Sequence, residues 1–266
     1  MPNPGTPSRT DYAAAVEGLA DRVLGALRGT GDPAVDPAVV ASQVDEAPDP
    51  KVALAAVRVL GPDVFAPALL AGVPFGPGDA RAVAESLRIF PPAPDAAPEA
   101  AWRDWTTVRL LARYGGGSPD STFTDTPEDT LGVREPSPPG GTGGTDSPAS
   151  PGLSWRDLSL SMAQLSPLAL PNVDGPVHET ALSRLRDLSR GTARAMLRRD
   201  YPTAARLARW LACALHRGAH PDLDTAAVVR HLELHCGGGG RTALDTAVAR
   251  GLLDRSQPQR PGGPTA

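Results

Sequence analysis

The stretch from Cys213 to Cys236, "CALHRGAHPDLDTAAVVRHLELHC", holds both cysteines of the chain and four of its five histidines. Cysteine and histidine at such density suggest zinc, which takes about four ligands, commonly as a close pair, a gap, and a second pair. Cys213-x2-His216, fourteen intervening residues and His231-x3-His235 approximate that pattern, with His220 and Cys236 as further ligands. On a helix turning about 100° per residue, Cys213, His216 and His220 fall within about 60° of one another. The same helical wheel gives the opposing expectation. Leu207, Leu211, Ala214 and Leu215 mark the buried side of the first helix and leave His216 and His220 facing solvent. On the second helix, His231 and His235 flank an apolar stripe through Val228 and Leu232, which Cys236 extends.

A second chemistry lies in the arginines. Arg184, Arg190, Arg194, Arg198 and Arg206 are spaced along two expected helices and could contact phosphates of a nucleic acid. The remaining motifs break down on inspection. "HETAL" opens like the metalloprotease motif His-Glu-x-x-His, yet Leu182 occupies the second histidine position. "GGGGRT" resembles a phosphate-binding loop ahead of a helix, but His235 replaces the first required glycine and Arg241 the lysine. The sequence has no Gly-x-Ser-x-Gly elbow, no Cys-x-x-Cys pair and only Lys51 as a lysine. The expectation is a non-enzymatic chain without a cofactor.

Helices must position these groups. In "TDYAAAVEGLADRVLGALRGTG" the residues Tyr12, Val16, Leu19, Val23 and Leu27 recur every three or four positions, and Gly29 ends the run. Asp36-Pro37 and Asp49-Pro50 each predict a capping aspartate followed by proline in the first turn, where a missing N–H costs nothing. Further helices are expected in "PGDARAVAESLRIF" and "PEAAWRDWTTVRLLARYGG", and again from Ser154, a capping residue, through "SWRDLSLSMAQLS". A longer helix over "ETALSRLRDLSRGTARAMLRRD", kinked at Gly191, precedes three more, in "PTAARLARWLACALHRGAH", "DTAAVVRHLELHC" and "RTALDTAVARGLLDR". Strand alternation and hairpin signals are scarce, so the fold class is all-α.

Composition divides this helical chain. Residues 115–152 are dominated by Gly, Pro, Ser and Thr and predict a disordered linker of 38 residues, with a reach of roughly 35 Å. It joins an acidic helical domain, 10–114, to a basic one, 153–255, with disordered ends at 1–9 and 256–266. Residues 1–152 contain 20 of the 30 acidic and 11 of the 26 basic side chains, net -9, leaving 10 and 15, net +5, for the rest. That asymmetry lets the halves attract each other, or lets the basic half meet an acidic partner. Secretory-signal features are missing from the first residues, and no run of about 20 apolar residues is evident, so a cytoplasmic protein without membrane contact is expected.

"GRTALDTAVARG", Gly240 to Gly251, resembles the opening of an ankyrin repeat, and "HRGAHPDL" is similar to the turn that closes one. The resemblance implies paired helices of the kind that stack into a protein-binding surface. The sixteen residues between the two fragments exceed the family's spacing and no second repeat follows, so the family is not assigned. The functional expectation is a protein-interaction or regulatory adaptor. Its alternatives are nucleic-acid binding through the five arginines and a zinc-stabilised domain through Cys213, His216, His231 and His235.

Overall fold

The computed structural model describes residues 7–29, 38–93, 95–115, 131, 133–136, 153–235 and 239–256. Among them every regular element is a helix: α1 (Arg9–Arg28), α2 (Val39–Asp45), α3 (Pro50–Leu60), α4 (Pro77–Ile89), α5 (Pro98–Tyr114), α6 (Trp155–Gln164), α7 (Pro176–Ser183), α8 (Leu185–Leu197), α9 (Tyr201–His216), α10 (Thr225–His235) and α11 (Gly240–Ser256). Short 3-10 segments span Gly61–Phe65 and Ser166–Leu168, and one π turn spans Pro67–Ala71.

The end signals act as expected at several helices. Gly29 takes the left-handed conformation, φ 65°, at the C-cap of α1. Asp49 accepts a hydrogen bond from the Lys51 amide ahead of α3, and Ser154 accepts one from the Asp157 amide ahead of α6. Helix α1 begins earlier than expected, because Ser8 and Asp11 form a reciprocal capping box. Asp36-Pro37 lies outside the described residues, as do 1–6, 257–266, Cys236 and most of the expected linker. Within that linker, however, Val133 is buried and Leu131 packs on the core, so the segment does contribute apolar side chains.

Helix α9 occupies the centre. From Ala204 to Ala214 every residue but Arg206 is buried, and the alanines at 204, 205, 208, 212 and 214 let neighbouring helices approach on several sides. Trp210 supplies the largest apolar side chain, with its indole N–H donating to the Met162 carbonyl at 2.7 Å. Helices α6, α8, α10 and α11 surround α9, and α11 in turn packs on α1. The acidic and basic halves, expected to hold a core each, meet in one continuous apolar cluster running from Val16 to Leu253. One ion pair joins them there among the described residues, between Asp63 of the acidic half and Arg209 of the basic half.

Two expectations for the basic half need correction. The long helix is divided at Arg184, which leaves helical geometry at φ -118° and ψ 29°, whereas Gly191 lies within the uninterrupted α8. Gly191 serves close packing instead: a Cβ there would lie 2.2 Å from the Ser159 hydroxyl of α6. The expectation that no segment could span a bilayer also fails on length and composition. The 22-residue run Pro50–Ala71 is apolar enough, and 78% of its most apolar window is covered by the rest of this fold. Proline at 62 and 67 and alanines between larger residues had obscured the continuity of that run.

Candidate functional site

Cys213 and the histidines do not converge. Among the described residues, no group of three or more His, Cys, Asp or Glu side chains is placed to hold a metal ion. Cys213 is buried in α9, where desolvation pushes its thiol up and the Arg217 guanidinium, hydrogen-bonded to it, pulls the other way. His216 is half-buried near the end of the same helix, and desolvation, with Arg255 and Arg217 nearby, lowers its pKa. His231 and His235 are exposed on α10 and stack on each other at 4.0 Å, with Tyr201 about 6 Å from each, 6.0 and 6.1 Å. His235 Nδ1 bonds the His231 carbonyl, a local tie of one helical turn. The zinc-like spacing therefore separates into an interior thiol and a surface imidazole pair. The fifth histidine, in "HETAL", is buried: His178 Nε2 donates to the Leu168 carbonyl at 3.0 Å, and its ring packs edge-on to Trp210.

The five arginines also separate. Arg184 is held by Asp187 at 2.6 Å and donates to the Leu153 carbonyl, and Arg206 faces the buried Asp245 at 3.7 Å. These two are committed within the fold. Arg190, Arg194 and Arg198 are exposed. Residues 190, 194 and 197 succeed one another at helical spacing, so Arg190, Arg194 and Leu197 share the outer face of α8.

Trp155, half-buried at the first position of α6, organises that face. The guanidinium carbons of Arg190, Arg156 and Arg194 lie 4.4, 5.2 and 5.6 Å from its ring centroid. Each cation over an indole is worth about 0.5–1 kcal/mol at an exposed site. Among the described residues no carboxylate pairs with any of the three; the nearby Asp157 and Asp187 are engaged by Ser154 and Arg184. Two apolar side chains stand out beside them. Leu197 is 87% exposed on α8, and Leu160, one turn beyond Arg156 on α6, is 62% exposed. Cations gathered on one indole, next to uncovered leucines, can bind an anionic group and an apolar one together.

Comparison with protein-family models, curated proteins and solved structures finds no match to this chain. The reading of the site therefore rests on its own geometry.

Sequence reasoning identified Arg190 and Arg194 but missed Trp155, which lies 35 residues upstream of Arg190 and meets it where α6 and α8 pack closely at Gly191. It also missed Arg209. That guanidinium is fully buried between Asp63 at 2.8 Å and Asp245 at 2.7 Å. Burial alone would lower its pKa, but the two carboxylates outweigh burial and raise it, so Arg209 is a permanent interior cation. Asp63 comes from the acidic half, Arg209 and Asp245 from the basic half.

A further near-motif has a structural explanation. Helix α11, which follows "GGGG", receives the Glu17 carboxylate of α1 at its N-terminus, where the Arg241 amide donates to it at 3.2 Å. A Cβ at Gly239 or Gly240 would meet the Glu17 or Asp21 carboxylate oxygens at 2.3 and 2.4 Å. The glycines admit an anion at a helix N-terminus, as a phosphate loop does, and the anion is the protein's own.

Proposed function

We propose that this chain is a non-catalytic interaction protein whose docking surface is the α6–α8 face around Trp155, and that its occupant is an acidic amphipathic helix of a partner protein. One observation carries the reading: three guanidinium groups without carboxylate partners among the described residues surround one indole, beside the exposed Leu160 and Leu197. A helix with carboxylates flanking an apolar stripe complements both features. Arginine and tryptophan are also the residues that most often dominate binding energy at protein interfaces.

A synthetic acidic helix with leucines at i and i+4 and glutamates beside them serves as the probe, with fluorescence anisotropy as the readout. Saturable binding is expected, weakened at least tenfold by Arg190→Ser with Arg194→Ser and severalfold by Leu197→Ser. Indifference to both changes would remove the surface from consideration.

Nucleic-acid binding by Arg190, Arg194 and Arg198 is the second reading, favoured by the same cations and by an indole available to a base. The leucines weigh against it, since phosphate contacts have no use for them. An oligonucleotide bound more tightly than the peptide, with affinity falling steeply as salt rises and unaffected by Leu197→Ser, would decide for this alternative.

A further inference from the structure

A cleft of about 160 Å³ opens between α5 and the loop that leads from Leu168 to His178. Its α5 wall is a single stripe. Trp102, Trp105, Arg109 and Arg113 succeed one another at intervals of three, four and four residues, placing all four within about 80° of the helix circumference. The stripe runs from a buried indole through a half-buried one to two exposed guanidinium groups, so it grades from aromatic floor to cationic mouth.

The opposite wall is anchored. Arg217, from the end of α9, pairs with Asp174 at 2.7 Å and donates to the Val173 carbonyl. The loop reverses through Asn172 at φ 61° and Gly175 at φ 143°. Behind it His178 gives its Nε2 proton to the Leu168 carbonyl, leaving Nδ1 as an acceptor. The cleft is thus formed before any ligand arrives, which limits the ordering cost of binding.

Charge at the mouth is asymmetric. Arg109 and Arg113 make no ion pair among the described residues: Arg109 lies over the Trp105 ring at 6.0 Å, and Arg113 lies over Tyr114 at 5.5 Å and donates to the Asn172 carbonyl at 3.5 Å. Glu135 lies on the same rim. One anionic charge suits two guanidiniums beside one carboxylate, whereas a dianion would be repelled by Glu135. The volume is close to the roughly 150 Å³ that accommodates a benzene ring.

We propose that this cleft binds a small aromatic monocarboxylate, its ring against Trp102 and Trp105 and its carboxylate on Arg109 and Arg113. The site is separate from the α6–α8 surface and does not depend on it.

Benzoate is the test ligand for the full chain, with benzamide as its neutral counterpart and inorganic phosphate as the competing anion. Calorimetry follows affinity, and the indole N–H resonances in a nitrogen-edited NMR spectrum report location. Benzoate is expected to bind saturably, at least tenfold more tightly than benzamide or phosphate, and to shift the Trp105 resonance. The Arg109→Gln, Arg113→Gln double variant, altered only at exposed positions, is expected to retain its circular dichroism spectrum and bind benzoate no better than benzamide. Arg190→Ser with Arg194→Ser is expected to change nothing. The proposal is overturned if benzoate shows no saturable binding, if benzamide or phosphate equals it, if the double variant binds like the parent, or if Trp155 shifts in place of Trp105.

Discussion

Arginine does opposite work on two neighbouring helices. On α9, Arg209 has no exposed surface and is enclosed by Asp63 and Asp245, joining segments 146 and 36 residues away in sequence. On α8, Arg190 and Arg194 are exposed, lack carboxylate partners among the described residues and crowd with Arg156 around Trp155. In the interior, a charge is tolerated only when opposite charges and hydrogen bonds replace its water. At the surface water supplies that solvation, so like charges can gather and stay available to another molecule. The contrast separates an arginine that holds the fold from arginines that can bind.

The sharpest way to break this comparison is to remove the charge from each class. Arg209→Met strands two buried carboxylates and is expected to cost about 3–5 kcal/mol in urea unfolding. A loss below about 1 kcal/mol would show that Asp63 and Asp245 do not depend on it.

The contrast extends to histidine, and pH tests it. Burial, with Arg217 adding repulsion, lowers the His178 pKa to about 4 from 6.5. The imidazole is therefore neutral in the folded chain while the unfolded chain takes up a proton between those values. His178's contribution is complete above pH 6.5 and is lost as pH falls towards 4, by about 3 kcal/mol in total. Urea unfolding of the parent and of His178→Gln between pH 7 and 4 measures it, with a shallower decline expected in the variant. Equal slopes would mean that His178 protonates as easily inside as outside.

A smaller effect is expected at the seam between the two helices that form the surface. Gly191→Ala places a methyl group against Ser159 and is expected to cost about 1–3 kcal/mol through overpacking. The same change should weaken the acidic-helix probe by moving Trp155 away from Arg190. Smallest of all, Arg190→Ser with Arg194→Ser is expected to lower stability by about 1 kcal/mol or less, because the two lost contacts with the indole are offset in part by relief of repulsion among the three guanidinium groups. A thermal melt lowered as far as that of Arg209→Met would abolish the distinction.

Much of the fold was legible because helix ends depend on nearby residues. Gly29, Asp49 and Ser154 each act on backbone groups within a few positions, and the three- and four-residue spacing of Val16, Leu19 and Val23 records one buried face. The interior of α9 was less legible. The wheel through Leu207 and Leu211 implied one buried side, but neighbours enclose the helix on nearly all sides and its arginine is stabilised by partners far along the chain. Spacing likewise placed Arg190 and Arg194 on one face and could not supply Trp155, which arrives from another helix. The zinc-like pattern failed for the converse reason. Separation along a sequence does not orient side chains, and Cys213 faces the interior while His231 faces water.

The carboxylate of Glu17 on the Arg241 amide bridges a gap of 224 residues. Closing so long a loop is a slow, late step, since chain entropy must be given up before the contact returns anything. While the chain is being synthesised, Val16, Leu19 and Val23 wait for α11 to leave the ribosome before their cover is complete. Helix α1 is thus sheltered only once a helix far along the chain has been made, so its apolar face stays uncovered through most of the synthesis of this fold.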